Sequence, residues 1–198
     1  MALLEASRSI LVVIDLQGRL VQLVHRPALV LEASRRLIRL AGLCSVPVVL
    51  TEQYPKGIGP TEPSIRAAFD GLASPGFFLE KTAFGCCGDP GFEPILGQAR
   101  PGLASSGRQI VVAGIEAHVC VLQTVLELLA SGHEVHLCWD AVSSRGEEYR
   151  AHALERMAAA GAALTNHESV AFEWMRDKRH PQFRTVSALL KEGQPQGD

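Results

Sequence analysis

Asp15, Lys81 and Cys120 have side chains suited to a single reaction. A cysteine attacks carbon as its thiolate, so it needs a base to take its proton. It also needs positive charge to hold the thiolate or the oxyanion that follows. Asp15 can serve as that base and Lys81 can carry that charge. Each residue also has an ordinary structural use. An Asp after a strand commonly caps a turn, a Lys there is usually solvated, and a lone Cys is most often a small buried filler. Position raises the trio above those uses, because each member follows an apolar run that reads as a strand.

Those runs are 9–14, ending at Asp15; 47–51, ending at Glu52, Gln53 and Tyr54; 77–80, leading into Lys81; 108–113; 134–139, ending at Asp140; and 162–165. Continuous β-branched runs of this length fit strands buried on both faces of a parallel sheet. Between them lie helical patterns. Val30, Ala33, Leu37, Leu40, Ala41 and Cys44 recur with helical spacing after Pro27. Residues 93–104 form a helix broken or bent at Pro101, and 147–160 form one with Gly161 at its C-cap. Short helices are expected at 169–175 and 186–190. Alternating strands and helices predict a three-layer α/β/α, Rossmann-like domain with a six-stranded parallel sheet of order 3-2-1-4-5-6. Ligands bind beyond the carboxyl ends of such strands, so Asp15, Lys81 and Cys120 share one rim.

The run 108–113 turns at Gly114 into a helical pattern with Cys120 near its start. A helix N-terminus favours thiolate, so a lowered Cys120 pKa is expected. Cys120, Gln123, Thr124 and Glu127 form a polar line on a helix otherwise apolar nearly all round, which predicts a homo-oligomer, at least a dimer. Residues 55–76 are rich in Pro and Gly and read as a long loop covering the site, with a short helix near 64–69.

Bulk properties narrow the class. The 198 residues suit one domain, with a core at about 8–176 and a polar, disordered tail at about 192–198. A net charge of −2 with scattered basic residues predicts no nucleic-acid partner. No apolar run approaches the roughly 20 residues that span a bilayer. The N-terminal apolar run reads as the first strand rather than as a signal peptide. Five cysteines without finger spacing fit a reducing, cytoplasmic setting better than a disulfide framework.

Five segments, VVIDLQ, TEQYPKGIGPTE, EKTAFGC, GIEAHVCV and DAVSSR, occur in an order that resembles the cysteine hydrolases of the isochorismatase-like superfamily. The resemblance covers about 10–175 and is nearest to a subgroup with TEQYPKGLGPT-like loops and no settled substrate. It implies Asp15 as general base, Lys81 as the bridge that steadies the thiolate, and Cys120 as the nucleophile of an acyl-enzyme. It also implies a cis Ile115–Glu116 peptide, with the N–H groups of Glu116 and Cys120 as the oxyanion hole. Gln17, Tyr54, Phe84 and His118 would line the substrate pocket. Nicotinamidases of the superfamily carry a D-x-H metal motif after strand two, where this chain reads TEQY, so neither a metal nor another cofactor is expected. True isochorismatases lack a cysteine at the position of Cys120, so its presence points to amide or ester chemistry.

Other candidates carry less. A vicinal Cys86–Cys87 disulfide is not expected, since it would be strained; packing near Lys81 is. His133, His136, His152 and His167 lack ligand spacing, and Asp140 reads as an acid capping the next segment. The leading function is hydrolysis of a small amide or related C–N bond. The rivals are a catalytically silent oligomeric scaffold or small-molecule binder of the same fold, and a redox cysteine protein that would need Cys86 or Cys87 as resolving partner.

Overall fold

The computed structural model describes residues 2–192, so all but Glu192 of the expected polar tail lies outside the described residues. Six strands form the sheet: β1 (Ser9–Ile14), β2 (Val48–Gln53), β3 (Gly76–Lys81), β4 (Gln109–Ile115), β5 (Glu134–Ser143) and β6 (Ala163–Thr165). Their order is β3-β2-β1-β4-β5-β6 and every pairing is parallel, as the alternating pattern predicts. Every residue of β1, β2 and β4 is buried, which is why these strands carry continuous apolar runs rather than alternation.

Eight helices flank the sheet: α1 (Pro27–Leu43), α2 (Pro55–Ile58), α3 (Pro63–Asp70), α4 (Phe92–Ala99), α5 (Leu122–Ala130), α6 (Glu147–Ala159), α7 (His167–Met175) and α8 (Phe183–Lys191). Strand parity divides the core in two. Leu11 and Val13 of β1 face residues of α1, α7 and α8, while Ile10, Val12 and Ile14 face α4, α5 and α6. The three layers follow from that alternation. No helix among the described residues is long and apolar enough to cross a membrane.

Several boundaries differ from the sequence reading, each for a local reason. The region 55–76 is not one open loop, for it contains α2 and α3, each opened by a proline, and Glu62 caps α3 by accepting from Ser64 N at 2.8 Å and Ile65 N at 3.2 Å. The helix at 93–104 stops at Ala99, two residues before Pro101. β5 runs on through Asp140 to Ser143, past a register shift against β4. Asp140 therefore does not cap the next segment. It accepts from His167 N and faces His167 Nδ1 at 2.5 Å, fixing the start of α7 instead.

Gly114 decides how tightly β4 can approach β1. Its φ is +123°, and a Cβ there would lie 2.1 Å from the Ile14 carbonyl oxygen and 2.6 Å from the Ile14 nitrogen, both backbone. Ile14 immediately precedes Asp15, so this contact sets where the β1 rim stands relative to the turn that carries Cys120. We expect Gly114→Ala to cost about 3 kcal/mol or more, because neither strand can yield to overpacking against backbone. Urea unfolding measures it, and a loss under about 1 kcal/mol would refute the close-approach explanation.

Candidate active site

The carboxyl ends of β1, β2, β3 and β4 bring Asp15, Thr51, Gln53, Lys81 and Cys120 together. Asp15 sits one residue past β1 with φ +52°, a left-handed conformation that Asp accommodates better than most residues. Lys81 ends the edge strand β3, whose inward positions are Leu79 and Lys81, so strand parity turns a lysine into the interior. Its ammonium donates to Asp15 Oδ2 at 2.6 Å, Gln53 Oε1 at 2.9 Å and the carbonyl oxygen of Phe84 at 2.9 Å, and lies 3.3 Å from that of Ala83. Both side chains of the Asp15–Lys81 pair are fully buried. Thr51 Oγ1 donates to Asp15 Oδ1 at 2.7 Å, so both carboxylate oxygens are engaged.

Cys120 lies in a π-wound turn, Ala117–Val121, that precedes α5. The Asp15 carboxylate and the Lys81 ammonium both act on its thiol. Burial pushes the thiol up to about 12, the Asp15 charge adds to that, and Lys81 opposes it. This reverses the lowered pKa expected from a helix start. Only 6% of Cys120 is exposed and an anion stands beside it, so desolvation and repulsion outweigh the helix end. The resting group is a neutral thiol next to a carboxylate that can take its proton.

Ties to β5 hold the turn that carries Cys120. The buried Glu116 carboxylate accepts from Arg145 at Nε (3.0 Å), Nη2 (2.6 Å) and backbone N (3.1 Å), and this arginine holds the carboxyl below its ordinary range. The carbonyl of Glu116 accepts from Val119 N at 3.0 Å and Val121 N at 3.2 Å. The Ile115–Glu116 peptide is cis. His118 stacks on Tyr149 at 4.9 Å between ring centroids, and its Nδ1 lies 3.0 Å from Ser144 Oγ.

The remaining pocket candidates separate into two kinds. Tyr54 and Phe84 are more than half exposed at the rim, and Tyr54 packs its ring over Gly57, where a Cβ would come within 2.4 Å of it. Gln17 is wholly buried and spends its amide on backbone, donating to Gln53 O at 3.1 Å and Gly59 O at 2.7 Å and accepting from Gln53 N at 2.6 Å. Glu52 plays a similar part, accepting from Thr61 N at 2.7 Å and Thr61 Oγ1 at 2.6 Å. The TEQYPKGIGPTE stretch is thus a rim loop laced to β1 and β2. No group of three His, Cys, Asp or Glu side chains among the described residues is placed to hold a metal ion. A cavity of about 910 Å³ opens elsewhere, between α1 and the ends of β5 and α7, lined by residues including Leu29, Trp139, Asp140 and His167. It contains none of the trio, whose surroundings are packed closely.

Thr51, Gln53, Cys86, Thr124 and Arg145 escaped the sequence reading as site residues. Each leaves a trace short of a site role: Thr51 and Gln53 lie in the TEQYPKGIGPTE segment, Cys86 is expected to pack near Lys81, Thr124 lies on the polar line of the Cys120 helix, and Arg145 ends the DAVSSR segment.

The Isochorismatase domain family matches residues 9–169. The chain belongs to the isochorismatase family. Isochorismatase domain-containing protein 2 of Macaca fascicularis is 38% identical over 187 residues, covering 94% of this chain and 85% of that protein. Among solved structures, the MAR1 ribonuclease of Caenorhabditis elegans has a TM-score of 0.86 at 36% identity, covering 98% of this chain and 95% of that one. YcaC from Pseudomonas aeruginosa, solved with hexane-2,5-diol and covalent acrylamide, has a TM-score of 0.85 at 26% identity, covering 98% and 92%. The family match spans all five segments singled out in the sequence.

Two outcomes follow from the geometry of this family member. Lys81→Met leaves the Asp15 carboxylate buried without its cation and should cost about 3–5 kcal/mol in urea unfolding; a change near zero would mean the pair contributes little. Asp15→Asn removes the anion that raises the Cys120 thiol. Its iodoacetamide reaction should therefore titrate at lower pH than in the wild type, where the rate should still climb at pH 10. An unchanged or upward shift would rule out the Asp15–Cys120 contact.

Proposed function

We propose that this protein is a hydrolase that cleaves a small amide or related C–N bond through an acyl-enzyme on Cys120. The buried Asp15–Lys81 pair with the Cys120 thiol beside it carries this reading, because a scaffold gains nothing from burying two charges next to a thiol. The family membership supports hydrolase chemistry at the coarser level.

In this reading the Cys120 sulfur attacks the carbonyl carbon as Asp15 takes the thiol proton. Charge gathers on the carbonyl oxygen, which the N–H groups of Glu116 and Cys120 receive. Asp15 then delivers the proton to the departing nitrogen, the C–N bond breaks, and the acyl group remains on sulfur. Asp15 next takes a proton from water, the hydroxide attacks the thioester, and the sulfur leaves and recovers that proton through Asp15. Lys81 stays charged throughout, holds Asp15 in position and offsets the negative charge that moves between carboxylate and sulfur. A thiol pushed up to about 12 suits this sequence, since deprotonation then accompanies attack instead of preceding it. Tyr54, Phe84 and His118 would form the substrate's walls, with Gln17 as the strut beneath them.

The silent-scaffold reading draws on a different observation, the near-complete enclosure of Cys120. Ammonia release from a panel of small primary amides separates the two. Wild type should turn over at least one member, and Cys120→Ala should lose at least about a thousand-fold in rate. Wild type should also form one acrylamide adduct, on Cys120. Failure of both assays would favour the scaffold. Cleavage of RNA by wild type and Cys120→Ala alike would instead place the activity with the ribonuclease description of the nematode relative.

We also propose a homo-oligomer. Leu122, Leu126 and Leu129 on α5 are only half-buried and form an apolar strip that a second copy could cover. Light scattering at micromolar concentration should give at least a dimer, and a monomer would overturn it.

A further inference from the structure

Cys86 has no part in the hydrolytic cycle, yet the fold delivers it to the same place. The turn after Lys81 lies flat on α5 because Gly85 permits it: a Cβ there would meet Glu127 Oε2 at 2.6 Å and Gln123 Cβ at 3.1 Å. One hydroxyl then joins the two cysteines. Thr124 Oγ1 donates to the Cys120 carbonyl at 2.7 Å and accepts from Cys86 N at 2.9 Å. Both side chains belong to one buried cluster. The Thr124 and Thr51 hydroxyls act on the Cys86 thiol, Thr51 Oγ1 donates to Asp15 Oδ1 at 2.7 Å, and the same Asp15 carboxylate acts on the Cys120 thiol. Both thiols feel the charges of Asp15 and Lys81, and Cys120 feels Cys86 directly. Cys87 faces a different environment, in which burial and then the charge of Glu127 raise its thiol, with no influence from Asp15 or Lys81 among the causes.

Access differs between the two. Cys86 is 0% exposed and Cys120 is 6% exposed, so a small solute meets Cys120 first. We propose that Cys120 and Cys86 form an oxidation-sensitive pair for a hydroperoxide, with Cys120 as the attacking and Cys86 as the resolving thiol. This rests on the reading of Cys120 as a reactive nucleophile.

The steps balance with hydrogen peroxide as oxidant. The Cys120 sulfur attacks one peroxide oxygen as Asp15 takes the thiol proton. The O–O bond breaks, the leaving hydroxide takes a proton to become water, and Cys120 becomes a sulfenic acid. The Cys86 sulfur then attacks the Cys120 sulfur, the S–O bond breaks, and hydroxide leaves with the Cys86 proton as a second water. Two thiols are oxidised to one disulfide while one peroxide is reduced to two waters. The disulfide occupies the hydrolytic nucleophile, and a thiol reductant restores both groups. Burial pushes Cys86 to about 11 and Cys120 to about 12, so the first step should accelerate as pH rises through the alkaline range.

The test treats the full chain with hydrogen peroxide, blocks remaining thiols under denaturing conditions, and maps peptides without reduction. Wild type should lose two of its five free thiols, yield a Cys86–Cys120 linked peptide, and recover both with dithiothreitol. Cys86→Ser and Cys86→Ala should give no linked peptide and should carry Cys120 to sulfinic acid, which dithiothreitol does not reverse; urea unfolding checks that each variant folds. Cys87→Ser should leave the Cys86–Cys120 link intact. Sulfinic acid on Cys120 in wild type with Cys86 still a thiol, or a link to Cys87 in its place, would overturn the pairing. Acrylamide labelling run in parallel keeps the two readings apart. Labelled Cys120 without the link sinks only the pair, whereas Cys120 inert to both reagents sinks the nucleophile as well.

Discussion

The buried Asp15–Lys81 ion pair is the constraint on which the site depends. Removing two charges from water costs several kcal/mol per ion, and their attraction offsets this only when every remaining donor and acceptor is engaged. The surroundings meet that condition. Thr51 takes one carboxylate oxygen, Lys81 the other, and the ammonium finds further acceptors in Gln53 and in the carbonyl of Phe84. Three strand ends and the turn after β3 must therefore keep one relative geometry. The rim loop follows from the same requirement. Gln17 and Glu52 spend their side chains on backbone groups of that loop, so β1 and β2 are locked together where they present Asp15 and Thr51.

Cys120 completes this arrangement without being activated in advance. Burial raises the thiol most, and the Asp15 carboxylate adds to this by repelling the thiolate that would result. In the proposed reaction such a site holds its proton until an electrophile arrives, and Asp15 then receives it. The turn that presents the sulfur is held from outside by Arg145, which lies largely in solvent while the carboxylate it grips is buried. The ion pair thus spans the boundary, and Glu116 is fixed from the β5 side while Asp15 and Lys81 are fixed from the β3 side.

Enclosure bears on what can enter. The trio is nearly inaccessible, the aromatic rim of Tyr54 and Phe84 is exposed, and the cavity beside α1 lies away from both. For the proposed reaction, a site of this shape favours a small, largely uncharged substrate. The one cation at its centre is already saturated with partners, leaving little to hold a second anion.

Much of this protein was legible in the sequence alone. Continuous apolar runs separated by helical spacing pointed to a parallel sheet and to the single rim on which Asp15, Lys81 and Cys120 stand, because strands buried on both faces need helices to cover them. The order of five short segments carried the family. Tertiary structure decided what no local pattern encodes. Lys81 is interior only through the parity of an edge strand that runs one residue further than its apolar run. The Cys120 thiol is raised first by burial and then by the charge of Asp15, over a hundred residues away in the chain, and together these override the helix end that local sequence suggests. Thr51, Gln53 and Cys86 belong to the site through contacts between segments, and Arg145 through a salt bridge to the turn before Cys120. Charge, burial and hydrogen-bond satisfaction are properties of the space around a residue, and that space exists only once the chain has folded.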